Sequence, residues 1–523
     1  MRLPGSRRLV RWHAMALCSL GLGCAAAGMH ELELTSGDAP APAAVQLASA
    51  EVPPPPADSD VQAEALGDGV PVVSGPGTAP AAGTGDGRIE SPIDFESALA
   101  LAAGRNPQVA FANERIREAF ARLRQAEALW LPTINAGANY NKHEGTIQNV
   151  EGEIIDASRQ SIYAGLGARA VGAGSPASPG LVAAFHTSDA VFQPRIERRA
   201  TAARQYAATA AINDTLLNVS LAYLDLLAAY QRQTIADETL ANARDLARLT
   251  ADFAETGQGN QADADRARAE LAVRQNEAHR AGEAIDVASA RLTQLLSQPG
   301  GTKLVPREPS ITPVELVDVS TPLNELLATG LSNRPELAET SFLVAQAVER
   351  LRREEHAVWL PSVLLGASYG TNGGGLGSAM DDFDDRWDVD AAVWWQVRNL
   401  GVGEKAARDE ARSLVNQARW RQVQALDQVA AEIASAHAQV QARALQIETA
   451  RGGISAALDS YDRNRARIRE GQGLPLEVLQ SLQALDQARR EYLRAVSDYN
   501  EAQFRLHRAL GWPVVAPGEG VPM

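Results

Sequence analysis

The sequence is poor in cysteine, aromatic residues and basic charge. Its 523 residues include two cysteines, both within the first 24 positions, so thiol nucleophiles, disulfides and cysteine metal ligands are excluded from the body of the chain. The net charge of −15 leaves no excess of Lys and Arg to neutralise phosphates, which argues against a nucleic-acid partner. An aromatic content of 5%, together with abundant alanine, favours long, closely packed helices over a conventional β domain.

The sequence also lacks a pattern that indicates catalysis. Its eight histidines are scattered without metal-ligand spacing, and no Ser-His-Asp set or matched carboxylate pair can be defended. The G-Q-G motif at Gly257 to Gly259 has neither the preceding strand nor the full glycine fingerprint of a phosphate site. We therefore expect a protein that is not an enzyme and holds no metal or cofactor.

Residues 1–27 have the pattern of a secretory signal peptide. A basic segment precedes about ten apolar residues, which are too few to span a bilayer, and a run of alanines suits cleavage near Ala27. The tripeptide L-G-C ending at Cys24 also resembles a lipoprotein cleavage box, in which Cys24 would become the acylated N-terminus. Gly21, however, stands where leucine is usual in such a box. Both alternatives predict export, and no later run of 18 apolar residues follows.

Composition then divides the chain into segments. Residues 28–91 are rich in Pro, Ala, Gly and acidic residues, a composition that cannot bury enough apolar surface to offset the entropy of ordering, so a disordered tether is predicted. The remaining boundaries are a first repeat at 92–300, an inter-repeat linker at 301–321, a second repeat at 322–513 and a C-terminal tail at 514–523.

The two repeats are an internal duplication. The segment WLPTINAGANY at Trp130 returns as WLPSVLLGASY at Trp359, whereas the G-Q-G motif at Gly257 returns at Gly471. The offset between the copies thus falls from 229 at the first motif to 214 at the second. The first copy is longer by the difference, and we expect an expanded loop near 146–190. Copies of roughly 200 residues are too long for solenoid units, so they are interpreted as halves of one pseudo-symmetric domain.

Each copy has the same predicted order of elements. An opening helix is ended by a proline, strand-like alternation follows, and a long helix reverses at the G-Q-G motif into a return helix. The predicted opening helices are 95–129 and 323–358, the clearest strand segments are 166–170 and 388–393, and the long helices are 195–254 and 404–470.

The long helices carry a seven-residue apolar repeat. It predicts antiparallel coiled-coil hairpins, in which the glycines terminate one helix and let the chain reverse. The repeat positions are Leu426, Ile433, Val440 and Ile447, then Val478, Leu485, Tyr492, Tyr499 and Leu506, and the hairpin glycines are Gly257, Gly259, Gly471 and Gly473.

An exported chain with short strands and no long apolar helix raises the question of how it meets a membrane. About ten tilted residues suffice for a strand to cross a bilayer, but only a closed barrel satisfies every backbone group there. Four strands per chain are too few to close a useful barrel, so sharing among identical subunits is expected. The Trp394-Trp395 pair also suits a membrane interface.

Four features occur together between about residues 92 and 513. They are the tandem repeat, the W-L-P-x-x-x-x-G-A-x-Y order, the G-x-G hairpins and the R-N-L-G motif from Arg398 to Gly401. In this combination the sequence resembles the TolC-family outer membrane efflux proteins. The resemblance implies a mainly α fold with a β-barrel portion, in which three chains with four strands each share a twelve-stranded outer-membrane barrel. Long antiparallel coiled-coil hairpins would continue it as an α-barrel tunnel in the periplasm.

The resemblance also implies a function and partners. A homotrimer in outer-membrane lipid would form the passive duct of a tripartite efflux or type I secretion system. It would work with a periplasmic adaptor (membrane fusion) protein and an inner-membrane efflux pump or ABC transporter. Two alternatives remain, a periplasmic adaptor and a structural coiled-coil stalk without a conduit. The sequence does not distinguish drug, metal and protein cargo.

The same resemblance places acidic residues of the periplasmic aperture six and nine positions after the hairpin glycine. In this sequence those positions are Asp263 and Arg266 in the first copy, and Glu477 and Gln480 in the second. Only the first position is acidic in both copies. Asp263 and Glu477 are therefore the main aperture candidates, with Gln480 and the neighbouring Asp265 beside them. The alternative is that these acids merely favour the start of a helix.

Overall fold

The structure is a computed structural model that describes residues 89–131, 136–166, 181–377, 379–470 and 472–513. The predicted signal peptide, Cys24, most of the tether, Gly471 and the C-terminal tail lie outside these residues. The helices are α1 (Phe95–Arg105), α2 (Pro107–Glu127), α3 (Thr187–Glu255), α4 (Gln261–Leu295), α5 (Leu323–Asn333), α6 (Pro335–His356), α7 (Val402–Arg469) and α8 (Pro475–Ala509). The strands are β1 (Ile89–Ile93), β2 (Ala136–Gln148), β3 (Ile154–Leu166), β4 (Leu181–His186), β5 (Thr302–Pro306), β6 (Ser362–Leu376) and β7 (Asp382–Trp394).

Each predicted opening helix is in fact two helices, so that prediction was wrong in this detail. The break falls before Pro107 in the first copy and before Pro335 in the second, because the residue preceding a proline is driven out of the helical region. Asn106 there donates to the carbonyl of Leu295 at 2.7 Å, and Arg334 donates to the carbonyl of Ala509 at 3.4 Å. These two acceptors are related by the same offset as the hairpin motifs, so the duplication extends to buried hydrogen bonds.

The long helices dominate the fold as expected. Helix α3 has 69 residues and α7 has 68, which corresponds to roughly 100 Å of helix each at about 1.5 Å per residue. Helix α4 returns along α3, and α8 returns along α7. The predicted seam is buried at Ile433, Val440 and Ile447. Leu426, by contrast, is exposed, so the seam on α7 starts one heptad later than predicted.

Five strands of the main sheet occupy four positions. Strand β6 pairs with β7 along one edge, and its other edge is shared by β3 and β4. Leu166 at the end of β3 faces Tyr369, and Leu181 at the start of β4 faces Ala367, so β4 continues the line of β3 along β6. Strand β2 then pairs with β3. The sheet therefore has the expected four strand positions, and one of them is filled by two strands, β3 and β4.

The pairing register locates the extra length of the first copy. Ala138 faces Ala164 in the first copy, and its counterpart Ala367 faces Val389 in the second. The offset between the copies is therefore 225 on the return strand, against 229 on the outgoing strand. Four of the extra residues accordingly lie in the β2–β3 hairpin beyond the Ala138–Ala164 pair, where they lengthen the strands. Ten of the other eleven lie between Leu166 and the start of α3. Residues 167–180, which contain the G-A-G-S-P stretch, lie outside the described part of the chain.

A second, two-stranded sheet was not predicted. Strand β1 pairs in parallel with β5, which places residues 89–91 of the expected tether and part of the expected linker in regular structure. Both strands have five residues and include a proline, so neither shows the alternation by which longer strands are recognised. The Leu304 amide of β5 donates to the Ser289 hydroxyl of α4 at 2.7 Å, which attaches the sheet to the first hairpin.

Two buried amide side chains attach the rest of the linker to α8. Asn500 bonds the carbonyl of Thr312 and the amide of Val314, both at 2.8 Å. Gln503 accepts from the amides of Leu316 and Val317 at 3.2 and 2.9 Å and donates to the Val317 carbonyl at 3.0 Å. Both side chains are fully buried. The two side chains therefore bond backbone groups of residues 312–317 that a neighbouring strand would otherwise bond.

No described helix is both long enough and apolar enough to cross a membrane.

We predict that Gln503→Leu destabilises the protein markedly. The substitution removes the partner of the partly buried Leu316 amide and of the buried Val317 amide and carbonyl, at about 1–3 kcal/mol for each buried group. Thermal unfolding followed by circular dichroism should show a clearly lowered Tm. The control is Gln487→Leu at an exposed position of the same helix, which should change stability by no more than about 0.5 kcal/mol. Equal effects of the two substitutions would contradict the proposed role of Gln503.

Candidate functional site

The two hairpin turns have matching geometry. In the first, Gly257 adopts a φ of 73°, and the amides of Gln258 and Gly259 donate to the Phe253 carbonyl at 2.9 and 2.8 Å. In the second, the amides of Gln472 and Gly473 donate to the Arg467 carbonyl at 2.9 and 3.0 Å. This pattern satisfies carbonyls at the end of each long helix. The described amides of Gln258, Gly259, Gln472 and Gly473 are thus bonded to helix carbonyls rather than free for a phosphate.

The closing glycine of each turn is required sterically. A Cβ on Gly259 would lie 2.9 Å from the Phe253 Cβ, and one on Gly473 would lie 2.9 Å from the Ile468 amide nitrogen. Any side chain at either position would force the helix ends apart. The spacing from turn to return helix is therefore the same in both hairpins.

Asp263 and Glu477 both lie in the first turn of a return helix. Each has a cationic neighbour. Asp263 Oδ1 is 3.3 Å from Arg266 Nη1, and Glu477 Oε2 is 3.3 Å from Arg467 Nη1. Asp263 is about one-quarter exposed, with a side-chain exposure of 26%. The Glu477 side chain is 38% exposed, but its Oε2 atom is buried. Both side chains are therefore partly exposed, and each carboxylate is partly balanced within its own hairpin.

The structure brings the two hairpin ends together. Asp263 and Arg266 of α4 line a small cavity with Pro475, Leu476 and Leu479 of α8. The first turn of α4 therefore lies beside the first turn of α8, which carries Glu477.

The remaining candidates are exposed. Gln480 lies on the exposed surface of α8, and Asp265 is exposed and ion-paired with Arg268. The structure thus gathers the two main candidates at one end of the chain and turns Asp265 toward its own arginine.

A buried charge cluster between the hairpins was missed by sequence reasoning. Arg274 of α4 contacts Asp486 of α8 at 2.6 Å and Glu277 at 2.7 Å, and Arg490 contacts the same two acids at 2.5 and 2.6 Å. The side chains of Arg274 and Asp486 are only 9% and 6% exposed. Asp486 follows the seam residue Leu485, so a charged residue beside an apolar seam was the available signal.

The cluster ties three helices together. Glu270 adds a contact of 2.6 Å to Arg274 and accepts from Gln483 of α8 at 3.0 Å, while Thr239 of α3 donates to Asp486 at 3.3 Å. Burial alone would lower the pKa of Arg274, but the bonds and charges of Glu270, Asp486 and Glu277 outweigh it and raise that pKa. Both arginines therefore stay charged, and the cluster sets the register between the hairpins.

The main sheet has two chemically different faces, and it lies at the end of the long helices that is opposite the hairpin turns. One face of β7 carries exposed apolar side chains, namely Phe383, Trp387, Val389 and Val393, interrupted by Asp385, which accepts from Tyr369 of β6 at 3.0 Å. Asp382, Asp384, Arg386 and Asp388 alternate with them, and Arg386 pairs with Asp388 at 2.8 Å. Since successive residues of a strand point to opposite faces, β7 presents one mainly apolar and one charged face. Its 13 residues suffice to cross a bilayer when tilted.

Among the described residues, no group of three or more His, Cys, Asp or Glu side chains is placed to hold a metal ion.

Comparison with known proteins identifies this combination of a two-faced sheet and paired hairpins. Residues 98–298 and 326–512 match the family model described as outer membrane efflux protein. The chain belongs to the outer membrane efflux protein family. No curated protein sequence matches it. The expected two-repeat organisation of the efflux family is thereby confirmed, and the family consists of channels rather than enzymes.

Solved structures show the same fold. The CmeC outer membrane channel of Campylobacter jejuni is 16% identical over 80% of this chain and 85% of CmeC, with a TM-score of 0.66. The outer membrane protein VceC of Vibrio cholerae is 18% identical over 80% and 96%, with a TM-score of 0.64. The open state of the MtrE outer membrane channel of Neisseria gonorrhoeae is 17% identical over 82% and 91%, also with a TM-score of 0.64.

The family assignment orients the molecule. This efflux protein resides in the outer membrane through its β sheet, and its helical hairpins extend into the periplasm. The apolar face of β7 is therefore the one suited to lipid, and the charged face is suited to an aqueous interior. The hairpin ends with Asp263 and Glu477 lie at the periplasmic extremity.

We predict that Asp486→Ala strongly destabilises the hairpin pair, because it leaves the buried Arg274 guanidinium and the partly exposed Arg490 guanidinium with fewer partners. Loss of one member of a buried ion pair costs about 3–5 kcal/mol. The double variant Arg274→Leu with Asp486→Leu should lose less than the sum of the two single changes, which a double-mutant cycle on thermal unfolding measures. Glu448→Ala, which breaks an exposed pair with Arg451 on α7, is the control and should be nearly neutral. Additive single effects would argue against coupling in the cluster.

Proposed function

We propose that three copies of this chain form the channel-tunnel of a tripartite efflux or type I secretion system. The observation that carries this proposal is the open sheet. Within the described residues, β2 pairs only with β3, and β7 pairs only with β6, so both outer edges present unpaired backbone. Unpaired backbone groups cannot face lipid, so the sheet must be closed by further strands.

Identical copies supply those strands most simply. Joining β7 of one chain to β2 of the next and repeating the step closes a ring of twelve strand positions with three subunits. A ring of that size is within the range of known outer-membrane barrels. The four long helices of each chain would then give twelve helices around the periplasmic tunnel. The fold similarity to solved outer-membrane channels supports this arrangement.

The partners follow from this proposal. The hairpin ends would receive a periplasmic adaptor protein and, through it, an inner-membrane pump or ABC transporter that selects the cargo. Transport through the duct itself would be passive, as the family resemblance implies, with the energy supplied by the pump. A leader processed at Ala27 or lipidated at Cys24 would deliver the chain to the outer membrane.

We predict that the protein extracted in mild detergent has the mass of three chains. Native mass spectrometry gives the stoichiometry directly. The same preparation should form discrete conducting pores in planar lipid bilayers, and heat-dissociated chains should not. A stalk or an adaptor would give no discrete conductance, so stable trimers that fail to conduct would favour those alternatives. A conducting monomer would refute the closed ring of three.

We further propose that Asp263 and Glu477 form the periplasmic gate. Three-fold assembly would bring six carboxylates to the narrow end, where clustered negative charge concentrates cations. The salt bridges to Arg266 and Arg467 reduce the field of each carboxylate. The absence of an acid at Gln480 leaves one ring of acids rather than two.

We predict that the closed pore prefers cations and that this preference weakens as salt screens the carboxylates. The double variant Asp263→Ala with Glu477→Ala should lower cation selectivity, measured as a reversal potential, and leave the trimer intact. Arg266→Ala is the control of opposite sign, because it removes the cation beside Asp263 and should raise cation selectivity. If both variants keep the wild-type selectivity, Asp263 and Glu477 only stabilise the starts of their helices and do not form a gate.

A further inference from the structure

The junction between β7 and α7 contains a left-handed turn. Asn399, Leu400 and Gly401 have φ values of 49°, 56° and 89°. Glycine adopts this conformation freely, whereas residues with a Cβ do so at an energetic cost, and a bulky leucine rarely does. The first repeat has no such turn, because β4 ends at His186 and α3 begins at Thr187.

The surrounding residues hold this turn in place. The Arg398 amide and Nε donate to the two carboxylate oxygens of Glu404 at 2.8 and 2.7 Å, and its Nη2 donates to Glu354 of α6 at 2.7 Å. Glu404 is buried. A Cβ on Gly403 would lie 3.1 Å from the Arg398 Cβ and carbonyl oxygen, so the chain passes close to that side chain. Strain that persists at such a clamped position indicates a function.

The turn displays an apolar surface. Leu400 is 98% exposed, and Val402, Val397 and Trp395 beside it are also exposed. Trp395 and Val397 follow β7 at the same every-second-residue spacing as the side chains of its apolar face. The strained leucine is therefore contiguous with the surface that is suited to lipid.

We propose that this turn is a lipid anchor, with Leu400 inserted at the boundary between headgroups and acyl chains of the periplasmic leaflet. Trp395 lies beside it, at the depth that indole rings prefer. A neighbouring subunit is less suited than lipid to cover the apolar surface around Leu400. A neighbour would add at the edge of β7, in the plane of the sheet, whereas the side chains of the apolar face stand perpendicular to that plane.

The test is to label the full-length protein at Leu400→Cys with the environment-sensitive fluorophore NBD and to reconstitute it in phosphatidylcholine vesicles. Leu474→Cys is the matched control, because that leucine is also exposed but lies at the far end of α7, beside the hairpin turn. Unsubstituted protein should take up no label under either export prediction, since Cys18 would be cleaved off and Cys24 would be either cleaved off or acylated.

At position 400 we expect blue-shifted NBD emission and weak quenching by iodide. Lipid that carries a nitroxide near the headgroup should quench the NBD emission at least twice as strongly as lipid that carries the nitroxide at the end of its acyl chain. At position 474 iodide should quench strongly and neither lipid should. Two results would overturn the proposal. Behaviour at 400 like that at 474 would place the turn in water, and protection from both iodide and nitroxide lipids would place it under another subunit.

Discussion

The fold depends on one constraint, the need to satisfy every backbone N–H and C=O group that the sheet carries into lipid. An unpaired group in hydrocarbon costs several kcal/mol, so a sheet with open edges at β2 and β7 cannot exist there alone. The chain supplies four strand positions, and the proposed trimer would close the ring. The interruption between β3 and β4 obeys the same constraint, because both segments remain paired to β6 on either side of residues 167–180.

The duplication is visible at the level of single hydrogen bonds. Asn106 and Arg334 differ in chemistry, yet each donates to a carbonyl at the end of its own return helix. Each is also followed by a proline that begins the next helix. The shared requirement is a donor for an end-of-helix carbonyl that has no partner within the helix. Evolution of the two copies has therefore kept the bond and changed the side chain.

Polar groups in the interior of this protein set register where apolar packing alone would allow sliding. Apolar contacts are not directional, so they define the alignment of neighbouring helices less sharply than hydrogen-bonded charges do. Asp486 shared by two arginines permits only one alignment of α4 with α8. Gln503 does the same for the linker against α8. These groups contribute specificity as much as stability.

The sequence by itself determined the duplication, the long helices, the hairpin glycines and the strand at 388–393, because periodicity and turn chemistry are local properties. The other predicted strand segment, 166–170, lies outside the described residues except for Leu166. The sequence also showed that the first copy is longer, but only the pairing register divided the extra length between the β2–β3 hairpin and the segment that follows β3. The sheet of β1 and β5 and the cluster around Arg274 join segments that are far apart in the sequence. The left-handed Leu400 depends on a buried glutamate in the next helix and on α6. Such features come from which surfaces meet in the folded chain, and no local pattern encodes that meeting.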